Sequence, residues 1–165
     1  MATNRNSTSV AALEGFPAVL PPAGLGHNAL YVQKGFLAVP TGDVSNGVYR
    51  MIRVPAAAVM HDLLRMHTAL TSLGLHVGVW RTPDDGGTVV SQQFFASVGL
   101  GTAVTSPSSL ININGLNNPP SQVLPLWQAA GLPAPPPSQY LDICGQINTP
   151  STAAGSLIFF AYYSV

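Results

Sequence analysis

From residue 28 onward, apolar and polar positions change over in short runs separated by turn residues, which is the pattern of strands rather than of long helices. Ala29 to Val39 is a first strand candidate, closed by Pro40-Thr-Gly-Asp43 and Asn46-Gly47, and Val48 to Val54 is a second, ended by Pro55. Strand side chains point alternately to two faces. Val48, Arg50, Ile52 and Val54 are therefore expected on one face and Tyr49, Met51 and Arg53 on the other, with neither face purely polar. Leu75 to Arg81 alternates more cleanly, Leu75, Val77 and Val79 against His76, Gly78 and Trp80, before Thr82-Pro-Asp-Asp-Gly-Gly87 supplies a tight turn.

Two segments read less simply. In Ala56 to Leu73, the positions Val59, Leu63, Met66 and Leu70 follow helical spacing and favour a helix, although Met60, Leu64 and Met66 between polar residues can also line a strand. Val89 to Leu100 is read as a short helix, with Val90, Phe94 and Val98 on one side and Thr88 as a cap. Ser109 to Gly115 alternates like a strand. Seven of the fifteen prolines lie between Asn117 and Pro137, around Val123 to Gly131, which predicts one or two helical turns in a long connection. Tyr140 to Ile147 and Ser156 to Val165 are the last strands. In the final one Leu157, Phe159, Ala161 and Tyr163 share one face and Ile158, Phe160 and Tyr162 the other, so both faces need cover, from a loop or from an interface.

Residues 1–27 read as an arm ahead of a β-sandwich domain at residues 28–165. Pro17, Pro21, Pro22 and the glycines at 15, 24 and 26 deny it regular structure, while Phe16, Val19, Leu20 and Leu25 are too apolar for a solvated linker. They are expected to pack on their own domain or to reach a neighbouring subunit. Six or so strands with long irregular links predict an all-β fold: an antiparallel, jelly-roll-like β-sandwich with short helical turns in long loops and an extended N-terminal arm.

Charge changes the picture from fold to behaviour. Only 7% of the residues are charged, against roughly 25% in ordinary soluble domains. Six basic and six acidic side chains cancel, so no self-repulsion keeps copies apart and a packed assembly is expected. The polar Met1 to Val10 and the short apolar runs after it lack the build of a secretory signal, and Leu157 to Tyr163 is far shorter than a membrane span. Synthesis in a cytoplasm is the expectation.

Candidate chemistry is sparse. Asp84 and Asp85, beside Pro83 and Gly86-Gly87, read as turn formers rather than as an acid/base pair, and the four histidines do not cluster as zinc ligands. Cys144 lies in an apolar stretch and is expected as a buried, inert thiol, and no Gly-x-Ser-x-Gly elbow occurs. Arg50 and Arg53, expected on opposite strand faces, make no basic patch for nucleic acid. No catalytic residue, metal or cofactor is therefore assigned. Trp80 with Arg81 is a candidate contact pair, because both types are enriched in interfaces, although the residues themselves favour a structural Trp at a strand end.

The segments Gly47-Val-Tyr-Arg-Met-Ile-Arg-Val-Pro55, Gly78-Val-Trp-Arg-Thr-Pro-Asp-Asp-Gly-Gly87, Phe94-Phe-Ala-Ser97, Pro125-Leu-Trp-Gln-Ala-Ala-Gly-Leu132 and Tyr140-Leu-Asp-Ile143, with the short final strand, give an order of parts over residues 45–165. That order resembles the capsid decoration, or cement, proteins of tailed bacteriophages. The resemblance implies a jelly-roll-like sandwich mounted as a homodimer or homotrimer on the outer capsid face, bridging subunits of the major capsid protein, and assembled in the bacterial host cytoplasm. It also implies a strand rather than a helix over Ala56 to Leu70. The proline-rich arm departs from the compact pattern of the family. On this reading Phe16, Val19, Leu20 and Leu25 in the arm, and Trp80, Arg81, Phe159 and Tyr163 elsewhere, are the candidate contacts with the shell or a second subunit, and neither nucleic acid nor membrane is a partner. The alternative is a carbohydrate- or receptor-binding module of a virion fibre, which requires an exposed Trp80, Trp127 or Tyr140 over a polar groove.

Overall fold

The computed structural model describes the backbone of residues 4–6 and, in full, residues 30–101, 103–111 and 123–165. Its strands are β1 (Asn4–Asn6), β2 (Leu30–Val39), β3 (Val48–Pro55), β4 (Val59–Thr68), β5 (Leu73–Arg81), β6 (Val89–Leu100), β7 (Val104–Ser109), β8 (Tyr140–Thr149) and β9 (Gly155–Ser164). They form a five-stranded sheet in the order β1-β3-β8-β5-β6 and a four-stranded sheet in the order β2-β9-β4-β7. Among the described residues every pairing is antiparallel except β1 on β3, where Asn4–Asn6 adds a parallel edge. From β2 to β9 each connection passes from one sheet to the other, except the β5–β6 hairpin. The fold is an all-β sandwich, the class expected, with eight long or medium strands where six were read.

One core lies between the sheets. Tyr49, Ile52 and Val54 of β3, Leu75, Val77 and Val79 of β5, Leu141 and Ile143 of β8, and Leu157, Phe159 and Ala161 of β9 are all buried in it. The sheets approach closely at Gly35 of β2. A Cβ there would sit 2.2 Å from the Met51 carbonyl oxygen and 2.9 Å from the Ile52 side chain, so only glycine lets the two backbones approach. A single helical turn, α1 (Leu126–Ala129), falls where one or two turns were predicted. Its first amides donate to the Ala58 and Ala56 carbonyls, and Leu126 is buried.

Three departures from the sequence reading have one physical cause, the β-bulge, which adds residues to one strand and breaks its two-residue period. In β4 the register against β9 slips between Met60 and Asp62, with His61 as the extra residue, whereas the slip against β7 between Arg65 and His67 adds its extra residues to β7. The bulge sets buried Met60 and Leu63 three apart, and two ordinary strand periods, passing half-buried Arg65, set Leu63 and His67 four apart; together they imitate a helix in a segment that is a strand. The strand implied by the resemblance is the one found. In β6, Ala96 pairs Val77 but Ser91 pairs Val79, so extra residues are looped out and the helical spacing of Val90, Phe94 and Val98 is a strand's. In β3 the slip lies between Arg50 and Ile52 and turns Arg50 to the same side as Arg53, not to the opposite one.

β7 begins earlier than the predicted strand at Ser109, and it tolerates Pro107 because it lies at a sheet edge. Residues 112–115 of that predicted strand lie outside the described residues.

The looped-out part of β6 crosses over Gly78. A Cβ at that position would meet the Ser91 and Gln92 carbonyl oxygens at 2.0 and 2.5 Å, whereas one at Gly99 would meet nothing within 4 Å. Gly78→Ala is expected to cost about 1–3 kcal/mol or more through overpacking against backbone, while Gly99→Ala gains roughly 0.5–1 kcal/mol by removing a flexible strand glycine. Urea unfolding of the two variants beside the parent protein checks both signs.

Candidate functional site

The charged side chains that strand alternation separated on paper meet on the sheet face away from the sandwich core. The bulge in β3 aims Arg50 and Arg53 at Asp142 of β8, which is fully buried. Arg53 embraces the carboxylate, Nε donating to Oδ1 at 2.7 Å and Nη2 to Oδ2 at 3.1 Å. Arg50 Nη1 donates to Oδ2 at 2.7 Å from the other side. Nη1 donates also to the Arg81 carbonyl at 3.0 Å and Nη2 to the Gly87 carbonyl at 3.1 Å, while the buried Nε has no hydrogen-bond partner. Two guanidinium groups, one carboxylate and two carbonyls thus tie β3 to β8 and to both ends of the Thr82–Thr88 turn. That turn is closed by the Arg81 amide on the Thr88 carbonyl, and its short 3-10 helix, Pro83–Asp85, is braced by Asp85 against Ser138.

Cys144 pairs with Gly78 beside this cluster and is fully buried. Burial pushes its thiol pKa well up, and the Asp142 carboxylate adds to the rise, which Arg50 and Arg53 only partly offset. Its environment is that of an inert thiol.

The cluster is a structural lock with no open face for a substrate. Elsewhere His76 Nδ1 lies 3.0 Å from Ser97 Oγ on β5 and β6. Among the described residues no three His, Cys, Asp or Glu side chains converge as a metal site requires. Among the described residues no helix is long and apolar enough to cross a membrane.

The predicted contact residues are scattered. Phe16, Val19, Leu20 and Leu25 lie outside the described residues. Trp80 and Phe159 are buried in the protomer, 3% and 1% exposed, Tyr163 is buried and stacks on Tyr31 with ring centroids 5.6 Å apart, and Arg81 is half-buried. Burial also raises the Tyr163 hydroxyl pKa.

A surface of another kind stands out on the outer face of the four-stranded sheet. Residues directly opposite in an antiparallel pair share a face, so Val32, Tyr162 and Asp62 form one row, Lys34, Phe160 and Leu64 the next, and Phe36, Ile158 and Met66 a third, running from β2 across β9 to β4. Leu30, Val32 and Phe36 are 61%, 55% and 38% exposed, and Leu64, Met66, Ile158, Phe160 and Tyr162 are all half-exposed. Lys34, the single lysine of the chain, holds its ammonium 5.9 Å from the centre of the Phe160 ring. Polar pairs border the rows: Thr68 with Ser156 at one end and His61 with Ser164 at the other. The second apolar face of the last strand, noticed in the sequence, is this surface, and no loop among the described residues closes over it.

Comparison of the whole structure with solved ones gives two likenesses. A chain in the capsid of Ralstonia phage GP4 superposes with a TM-score of 0.65 over 98% of this chain and 97% of that one, at 10% sequence identity. A chain in the capsid asymmetric unit of cyanophage Pam1 does so with a TM-score of 0.51 over 89% of this chain and 91% of that one, at 15% identity. The shared feature is the fold. No family model and no curated protein sequence matches this chain.

Sequence reasoning missed Asp142 and its two arginines as a unit. The signal was present: one carboxylate in the apolar run Tyr140 to Ile147 and two arginines in the apolar run Val48 to Val54, each charge demanding a buried partner. Asp142→Asn keeps the shape but strands two buried guanidinium groups, and about 3–5 kcal/mol of stability should be lost, seen as a lower urea midpoint. Cys144 should be silent to Ellman's reagent at pH 8 in the native protein and react fully once the chain is unfolded. Rapid labelling of the native state would contradict the burial that raises its pKa.

Proposed function

We propose that the chain is a structural virion protein of a tailed bacteriophage, bound to the outer face of the capsid, where it bridges major capsid protein subunits and stabilises the head. The observation that carries this reading is the likeness of fold over nearly the full length to chains from two phage capsids. The strand order supports the jelly-roll form of the sandwich: counted from β2, the sheets run first-eighth-third-sixth and second-seventh-fourth-fifth, as two interlocked Greek keys require. The residue pattern of Gly47–Pro55, Gly78–Gly87 and Tyr140–Ile143 supports the cement role within that class.

Function on this reading is mechanical. Many weak apolar and backbone contacts, each repeated by the symmetry of the shell, sum to firm attachment without any reaction being catalysed. A homodimer or homotrimer is the binding unit, the N-terminal arm with Phe16, Val19, Leu20 and Leu25 crosses a subunit boundary, and half-buried Arg81 is a contact residue at a strand end. Trp80, Phe159 and Tyr163 contribute by stiffening the sandwich.

The fibre-module reading has less support. Trp80 is 3% exposed and cannot serve as a sugar-stacking platform without unfolding its strand, while Trp127 and Tyr140 are only half-exposed.

Quantitative mass spectrometry of purified particles, referenced to the major capsid protein, tests the proposal. Hundreds of copies per particle in a simple ratio are expected. A handful of copies would move the protein to the tail or a fibre, and none at all would remove it from the virion; either result overturns the cement role.

A further inference from the structure

The outer face of the β2-β9-β4-β7 sheet combines an apolar interior, a polar border and a single charge of each sign. Three strands of ten residues and an edge strand of six, about 4.8 Å apart, cover roughly 600 Å² in projection. Side-chain relief raises the accessible area above that figure, to the order of the ~800 Å² per partner that a standard stable interface buries. Exposed apolar patches of this extent, rimmed by polar groups, mark interaction sites.

We infer that this face is the two-fold interface of a homodimer, with a second copy of the chain as its occupant. The inference rests on the part of the reading above that gives the chain copies of itself as partners, and not on the shell. Three observations favour a second copy. Net charge is zero, so two identical chains do not repel. The face is apolar across its middle rows, which lets it meet itself. Its charges are complementary under a two-fold axis: an axis running along β9 in the plane of contact lays β2 of one copy over β4 of the other. Lys34 then stands over the partner's Leu64 row, one same-face position, about 7 Å, from Asp62, within reach of a lysine stem. Asp62 is held for that role by the Ser109 hydroxyl at 2.7 Å and the Leu63 amide at 2.8 Å, both donating to Oδ1, which leaves Oδ2 to receive the ammonium.

The full chain is tested by sedimentation equilibrium at micromolar concentrations, with carbodiimide cross-linking of a mixture of light- and heavy-nitrogen-labelled protein. A species of twice the 17.2 kDa chain mass is expected, with mixed-label peptides joining Lys34 to Asp62. Val32→Glu and, separately, Leu30→Glu place a charge on already exposed positions and should weaken the dimer at least 100-fold with unchanged circular dichroism. A monomer or a trimer, a dimer that both variants leave intact, or a dimer without the Lys34–Asp62 cross-link overturns the inference. Particle copy number is untouched by any of these results, so failure here is distinguishable from failure of the capsid reading.

Discussion

A single buried carboxylate organises the five-stranded sheet. Asp142 lies in β8 between β3 and β5, with no exposure to water, where an unpaired ionised carboxylate is prohibitively costly. Two guanidinium groups compensate it, and the excess positive charge is met in turn by the Arg81 and Gly87 carbonyls. Such a cluster is not in itself strong evidence for stability, since well-packed apolar groups often do as well. Its effect is on register. Moving β8 by one residue against β3 would turn Asp142 into the apolar core and point Leu141 or Ile143 at the arginines. The bulge at Arg50/Ile52 goes with holding that one register, and the Arg50 bonds to the Arg81 and Gly87 carbonyls tie the 82–88 turn to the same cluster.

The legibility of the fold tracked the regularity of each strand. β2, β5, β8 and β9 were readable because their composition and bounding turns point the same way, as was the helical turn at Leu126. β4 and β6 read as helices because bulges break the two-residue period, and a bulge leaves no mark in the residues themselves when the extra residues are His61 in β4 or fall among residues 92–95 in β6 rather than being glycine. The same ambiguity hid the site. Arg50 and Arg53 lie three apart, which regular alternation assigns to opposite faces, and only the tertiary demand of Asp142 selects the bulged form that unites them.

Low charge content has a concrete structural basis. Arg50 and Arg53 both pair internally with Asp142, Asp43 accepts the Tyr49 hydroxyl, Asp85 is bound by Ser138, and Asp62 by Ser109. Charges in this chain serve its own geometry, leaving few to solvate the surface. Proteins that must stay monomeric guard sheet faces with charged side chains; the outer face of β2, β9 and β4 has Lys34 and Asp62 against eight apolar side chains.

The contact residues chosen from sequence show why residue type alone cannot find such a surface. Trp80, Phe159 and Tyr163 belong to types enriched in interfaces, but the same aromatic bulk is what a core uses, and burial decides between the two. The exposed positions are Leu30, Val32 and Phe36, ordinary members of a strand whose inward neighbours, Leu37 and Val39, are just as apolar. What distinguished the face in advance was the last strand, where Ile158, Phe160 and Tyr162 oppose Leu157, Phe159 and Ala161 and leave no solvent side. A central strand apolar on both faces in a sheet with only one sheet packed against it must be covered from outside the sandwich. Neutrality and self-complementary charge then make a second copy the simplest cover.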